Sequence, residues 1–157
     1  MRDIYFNAWL PDLEIMLENI TVYCDAQQIG IDADTLSDLV KSKNKDWSIM
    51  DDGVYFSNDE NFDRLLTLLC GEDWYWIDFA DCVVLEYSGI NDESGQKIFE
   101  GDIISIRAGI LEIVFKRGCF CVKQIGKTEP KEYYLALRFL PDGVKKIGNI
   151  YQTSMTK

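Results

Sequence analysis

From Val83 onward the chain reads as short pleated strands separated by tight turns. Val83, Leu85 and Tyr87 alternate with Val84 and Glu86, the period-2 pattern of a strand whose faces differ. Ser88-Gly89 and the polar run Asn91-Asp92-Glu93-Ser94-Gly95 then supply residues that accept positive φ or bond their own backbone, so the chain turns there. Ile98-Phe99 is an apolar anchor, Glu100-Gly101-Asp102 a second turn, and Ile103, Ile104 and Ile106 open a strand rich in β-branched residues. Ile110 to Phe115 and Cys119 to Ile125 are predicted as strands of a hairpin turning at Arg117-Gly118. A loop from Lys127 to Lys131 contains Pro130. Glu132 to Phe139 alternates again, Pro141-Asp142-Gly143 turns the chain, and Lys145 to Tyr151 is the last predicted strand. Gly148-Asn149 within it signals a bulge or bend. Five modest strands with short turns fit a small β-barrel closed on itself.

The first half mixes periods. Ile4, Phe6 and Ala8 alternate with Tyr5, Asn7 and Trp9, so both faces of a first strand carry large groups. Such a strand is either central in the fold or covered by a partner subunit. Pro11-Asp12 ends it. Ile15 to Glu18 and Ile20 to Tyr23 predict a weak hairpin or one strand interrupted at Asn19. Leu36, Leu39 and Val40 sit at helical spacing behind Asp32 or Asp34 as N-cap, and the run Lys41 to Lys45 closes that helix with cations that complement its dipole. Asp52-Gly53 centres a hairpin from Ser48 to Phe56. A second helix is expected over Asp59 to Cys70, capped by Asn58, with Phe62, Leu65, Leu66 and Leu69 as its stripe and Gly71 as its stop. Trp74-Tyr75-Trp76-Ile77 and Phe79 form an aromatic cluster among acids, read as core or subunit interface ahead of a ligand platform.

Composition adds bounds and exclusions. At 157 residues, 47% hydrophobic and 27% charged, the chain suits one ordinary globular domain with a real core. No apolar run is long enough to span a bilayer, and Met1-Arg2-Asp3 opens no secretory leader, so a cytoplasmic location is expected. Histidine is absent, which excludes Ser-His and Cys-His nucleophile chemistry and removes the commonest metal ligand. The net charge of −11 is uneven: residues 1–80 carry −12 and residues 103–157 carry +6. A solvated acidic surface accounts for this, and head-to-tail association through complementary patches is the sharper alternative. Five cysteines, Cys24, Cys70, Cys82, Cys119 and Cys121, include no CxxC pair. Cys119 and Cys121 fall on one strand face, where two small buried residues are expected before a metal or a strained redox pair.

Candidate chemistry is thin. Glu100 and Asp102, with Asp92 and Glu93 beside them, could share a divalent cation, but no calcium-loop pattern surrounds them. The mechanical reading is that Gly101 lets the backbone turn while the Asp102 carboxylate accepts hydrogen bonds from amides of the facing loop. Arg107, Lys116, Arg117 and Lys123 with Phe120, Tyr133 and Tyr134 could make a basic aromatic surface, too sparse on so acidic a chain to favour nucleic acid. No phosphate loop, dinucleotide fingerprint or nucleophile elbow is present.

The segment Glu86-Tyr87-Ser88-Gly89-Ile90-Asn91-Asp92, continued by Gly95-Gln96-Lys97-Ile98-Phe99-Glu100-Gly101-Asp102, resembles the signature of the YopX family, encoded mainly by phages and prophages. Met1 to Trp9 resembles that family's opening and Ile147 to Tyr151 its close, although Gln152-Thr153-Ser154 lacks the acidic, proline-containing tail. The resemblance leaves out the middle of the chain. It implies an SH3-like small barrel, a tendency to homo-oligomerise and no established biochemical activity. The expectation is therefore a mainly β, α+β chain forming a single domain over 1–157. Within it, 27–81 is a variable, partly helical insertion supplying one or two helices, and 82–152 is an SH3-like barrel core, joined by an N-terminal strand. Tyr87, Gly89, Asp92, Gly95, Glu100, Gly101, Asp102, Gly148 and Asn149 are expected to be structural, and Tyr5, Trp9, Trp74 and Trp76 to lie in a subunit contact. No catalytic residue, metal or cofactor is expected. The function expected is a self-associating, non-enzymatic accessory module with an unknown host or phage partner. The alternatives are an acidic decoy of a host DNA-binding protein or a nucleic-acid-binding barrel, and no membrane partner is expected.

Overall fold

The structure, a computed structural model, describes residues 5–57, 62–125, 140 and 142–153. It is mainly β, built from antiparallel sheets, and divides into two compact units, Phe6–Val84 and Met1–Tyr5 with Leu85–Lys157.

In the first unit β1 (Phe6–Leu10), β2 (Ile15–Tyr23), β3 (Gln28–Asp32), β8 (Trp74–Asp78) and β7 (Leu69–Cys70) lie side by side in that order. Between β3 and β7 in the chain come α1 (Ala33–Lys43) and a meander of β4 (Trp47–Met50), β5 (Gly53–Ser57) and β6 (Phe62–Thr67). β2 is one strand, not a hairpin. Its register on β1 slips by one residue, so Glu18 and Asn19 face Asn7. Asn19 adopts φ 55 there, and its N–H donates to the buried Asn7 Oδ1 at 3.1 Å. The bulge is thus fixed by two asparagines, which tolerate left-handed backbone better than other side chains.

The α1 helix forms where its stripe predicts. Asp32 is the cap, its Oδ1 accepting from Thr35 N at 2.9 Å, and the helix ends at Lys43 with Asn44 extended. Leu36 and Val40 are fully buried with Leu10, Leu13, Leu17, Ile29 and Ile77. The hairpin between β4 and β5 forms, but it turns at Asp51-Asp52, one residue before the predicted Asp52-Gly53, and Gly53 pairs with Met50 as the first residue of β5.

The second predicted helix does not form. Its stripe lies in β6 and β7, with Val54 opposite Leu66 and Tyr55 opposite Arg64. Leu65-Leu66-Thr67-Leu68-Leu69 is apolar at nearly every position, so it satisfies period 2 as well as period 3.6. The structure buries Leu66 and Leu68 and leaves Leu69 52% exposed, the alternation of a strand. Pairing with β5 decides between the two, as tertiary context overrides local preference. The proposed Asn58 cap lies outside the described residues.

The second unit holds β9 (Val83–Asn91) from Leu85 on, in a hairpin with β10 (Lys97–Phe99), then β11 (Asp102–Ile106), β12 (Gly109–Lys116), β13 (Cys119–Gln124), β14 (Lys145–Asn149) and the single turn α2 (Ile150–Thr153). The last four strands form an open sheet ordered β13-β12-β11-β14. Among the described residues no barrel closes, and the predicted strand over 132–139 and loop over 127–131 lie outside them. Ile98, Ile104, Ile113, Phe120, Val122 and Val144 make this unit's core. The last strand stops two residues early. Asn149 Oδ1 accepts from Tyr151 N at 3.0 Å and Ile150 N donates to Gly101 O at 2.9 Å, which turns the chain into α2.

Candidate functional site

Two groupings of the predicted residues stand out, one in each unit. The first is a clasp of loops around two carboxylates. Asp92 opens the turn after β9, where its N–H donates to Gln96 O and its own carbonyl accepts from Gly95 N, with Gly95 at φ +88. The Asp92 Oδ1 accepts from Ser94 Oγ at 2.7 Å and from the N–H groups of Ser94 and Gln96, both at 2.9 Å. Its Oδ2 accepts from Lys146 N at 3.2 Å, and Glu93 N donates to Val144 O, so the turn is tied to the start of β14. These hydrogen bonds, the Ser94 hydroxyl foremost, hold the carboxyl down at about 2.

Asp102 is the deeper partner, 1% exposed. Its Oδ2 accepts from Phe99 N at 2.8 Å and meets Lys146 Nζ at 2.8 Å, while Oδ1 accepts from Asn149 Nδ2 at 3.0 Å. The sequence suggests amides of a facing loop, but the backbone amide on Asp102 is that of Phe99, three residues back in the same turn; the lysine and the asparagine are additions that only β11–β14 pairing brings within reach. Gly101 adopts φ +78, its N–H donates to Ile113 O at 2.8 Å, and a Cβ there would stand 3.1 Å from the Tyr151 ring. Gly148 faces Ile103 where the β11–β14 register shifts, the bulge its sequence predicts. Gly89 has φ +89, Ser88 Oγ donates to Ile98 O at 2.6 Å, and the Tyr87 ring lies 5.8 Å from both Tyr5 and Phe99. Lys97 Nζ sits 4.2 Å above the Tyr5 ring.

Glu100 does not join the clasp. Burial, with the charges of Glu86 and Glu112, raises its pKa against a hydrogen bond from the Phe115 amide. Asp102 has both oxygens committed to donors, one of them a cation, so the two carboxylates do not make a shared cation seat. Among the described residues no group of three or more Cys, Asp or Glu side chains could hold a metal ion. What the clasp does chemically is fasten the β9–β10 turn and the Glu100-Gly101 turn to β14.

The second grouping is an aromatic sheet face. Register sets Gly30 opposite both Thr21 and Trp76, Gln28 opposite Tyr23 and Asp78, and Asp32 opposite Trp74. Alternation then places Tyr23, Trp74, Trp76 and Asp78 on the face away from the buried Ile29, Ile31 and Ile77. The missing side chain of Gly30 makes the room: a Cβ there would come within 2.4 Å of Trp76 Cζ3. Trp76 meets Tyr23 edge-on at 4.7 Å and lies 21° from parallel with Trp74 at 6.5 Å. Trp74 is 41% and Tyr23 47% exposed. Gln28 Nε2 donates to Asp78 Oδ1 at 2.8 Å beside them. β2, β3, β7 and β8 contain no lysine or arginine. Tyr23, Gly30 and Leu69 were not predicted for this surface; their facing positions become visible only with strand register.

Trp9 departs from the expected contact. It is 7% exposed, buried like the rest of β1 from Asn7 to Leu10 and not open to a partner subunit. Tyr5 is half-buried against Tyr87. Of the four proposed contact aromatics, Trp74 and Trp76 are brought together on one sheet face, Trp9 is buried, and Tyr5 packs on Tyr87.

Among known proteins, a family model described as "YopX protein" matches residues 5–156. A crystal structure of protein EF1440 from Enterococcus faecalis is similar at 21% identity with a TM-score of 0.52, covering 99% of this chain and 98% of that one. That likeness concerns the fold. No curated protein matches the chain.

Proposed function

The protein belongs to the YopX family, and from that premise we propose that it is a non-enzymatic accessory module, of the phage or prophage type, that works by self-association. The observation carrying this reading is the aromatic face on which Tyr23 and Trp74 are exposed and pack around a half-buried Trp76. Large aromatics held in fixed rotamers give contact area at low entropic cost, which is why they anchor protein interfaces. The clasp supports the non-enzymatic part. Its carboxylates are saturated by donors of their own fold and leave no proton acceptor aimed at a substrate. The finer fold we propose for the second unit is an SH3-like barrel.

Light scattering after size exclusion tests the reading. Wild type is expected at a multiple of the 18.1 kDa chain mass. Trp74→Ala is expected to weaken association by about tenfold or more, the cost of truncating a hot-spot aromatic. A wild-type monomer at tens of micromolar overturns it. A second reading, an acidic decoy occupying a host DNA-binding protein, is favoured by one observation, the −12 carried by residues 1–80. Such a complex would dissociate steeply with salt, and a salt-insensitive partner would count against it.

A further inference from the structure

Cys119 and Cys121 are two residues apart on β13, and their Sγ atoms lie 3.5 Å from each other. The two differ in access: Cys119 is exposed and Cys121 is 1% exposed. The expectation of two buried small side chains therefore holds for Cys121 alone. The other three cysteines, Cys24, Cys70 and Cys82, all belong to the other unit. We propose that Cys119 and Cys121 form a reversible dithiol–disulfide site that exchanges with small-molecule disulfides of the glutathione class.

The steps balance with such a disulfide as oxidant. The Cys119 thiolate attacks one sulfur of the small disulfide, forming a mixed disulfide and releasing the first small thiolate, which takes up the proton Cys119 lost. The Cys121 thiolate then attacks Cys119 Sγ, displacing the second small thiolate, which takes up the proton from Cys121. The dithiol has lost two electrons and two protons, and one small disulfide has become two small thiols. The order follows from access. Burial pushes the Cys121 thiol up, as does its neighbour Cys119, while Lys116, opposite Cys119 across the β12–β13 pair, acts the other way. Cys121 is thus sheltered from the first attack and already placed for the second.

Reversibility follows from strand geometry. Residues i and i+2 of an extended strand stand about 6.6–6.8 Å apart at Cα, from a rise of about 3.3–3.4 Å per residue. Disulfides span about 4.4–6.8 Å, so this one forms at the far edge of the range. The sulfurs must also close from 3.5 Å to about 2.05 Å, which puckers β13. A disulfide strained in this way is more readily reduced than a structural one.

The test uses the full chain in a series of reduced and oxidised glutathione buffers, with rapid alkylation and mapping of the tryptic peptide Gly118–Lys123, which carries both thiols. The expected result is an internal disulfide, two hydrogens lighter, that reopens at glutathione ratios where structural disulfides stay closed. Cys121→Ser should retain one glutathione on Cys119, and Cys119→Ser should form no disulfide in this peptide. A wild-type peptide that stays a dithiol while Cys24 or Cys70 takes up glutathione would overturn the proposal. So would a stable glutathione adduct on Cys119 in wild type, or a disulfide that fails to reopen. The wild-type mapping stands without the variants.

Discussion

Asp102, 1% exposed, has the ammonium of Lys146, a side chain 25% exposed, 2.8 Å from one oxygen and the Asn149 amide, 2% exposed, 3.0 Å from the other. Removing it strands a cation and two buried N–H donors, whereas removing both partners of such a pair can be nearly neutral. Asp102→Ala should therefore cost about 3–5 kcal/mol in urea unfolding, a large share of a typical domain's stability. Asp102→Asn, which keeps an acceptor and loses the charge, should cost less. Asp92 acts through pH. Its folded value of about 2 lies below the ordinary value of an aspartate, so its contribution is complete above the unfolded value and is lost as pH falls through the folded one. Between pH 4 and pH 2, wild-type stability should fall more steeply than that of Asp92→Asn. Parallel acid unfolding curves for the two proteins would refute the clasp at that residue.

At the scale of elements, β3 and β8 meet around a glycine. Gly30 is not in a left-handed conformation, so its role is space for the Trp76 ring and not backbone freedom. Gly30→Ala should force that ring off the sheet and break its edge contact with Tyr23, costing about 1–3 kcal/mol as overpacking does. A change in tryptophan emission should accompany it, and unchanged emission with unchanged stability would mean the ring has somewhere else to go. The β6–β7 segment teaches the converse. Its leucines fit a helix by spacing, yet pairing of β6 with β5 sets Leu66 opposite Val54, and Leu66 and Leu68 are buried.

For the whole molecule the governing quantity is charge distribution. A net −11, concentrated in residues 1–80, repels copies that meet acid to acid and favours those that meet acid to base. If association is head to tail through complementary patches, raising salt from 0.05 to 0.5 M, across a Debye length that shrinks several-fold from about 14 to about 4 Å, should shift the light-scattering mass toward monomer. An apolar contact through Tyr23, Trp74 and Trp76 alone should hold or tighten under the same change. The two outcomes separate the aromatic face from the charged patches as the source of the proposed self-association.

Local chemistry already specified much of this protein: the turns at Asp92 to Gly95, Glu100 to Asp102 and Arg117-Gly118, the capped helix behind Asp32, the mainly β character and the family. Each depends on residues a few positions apart, where backbone preference and short-range hydrogen bonding act. Pairing across long separations settled the remainder. Lys146 and Asn149 reach Asp102 only because β14 lies beside β11, and Gly30 serves Trp76 only because β3 pairs with β8. Strand partners and register are fixed by burying one face of each sheet, a condition on the assembled chain that no short window contains.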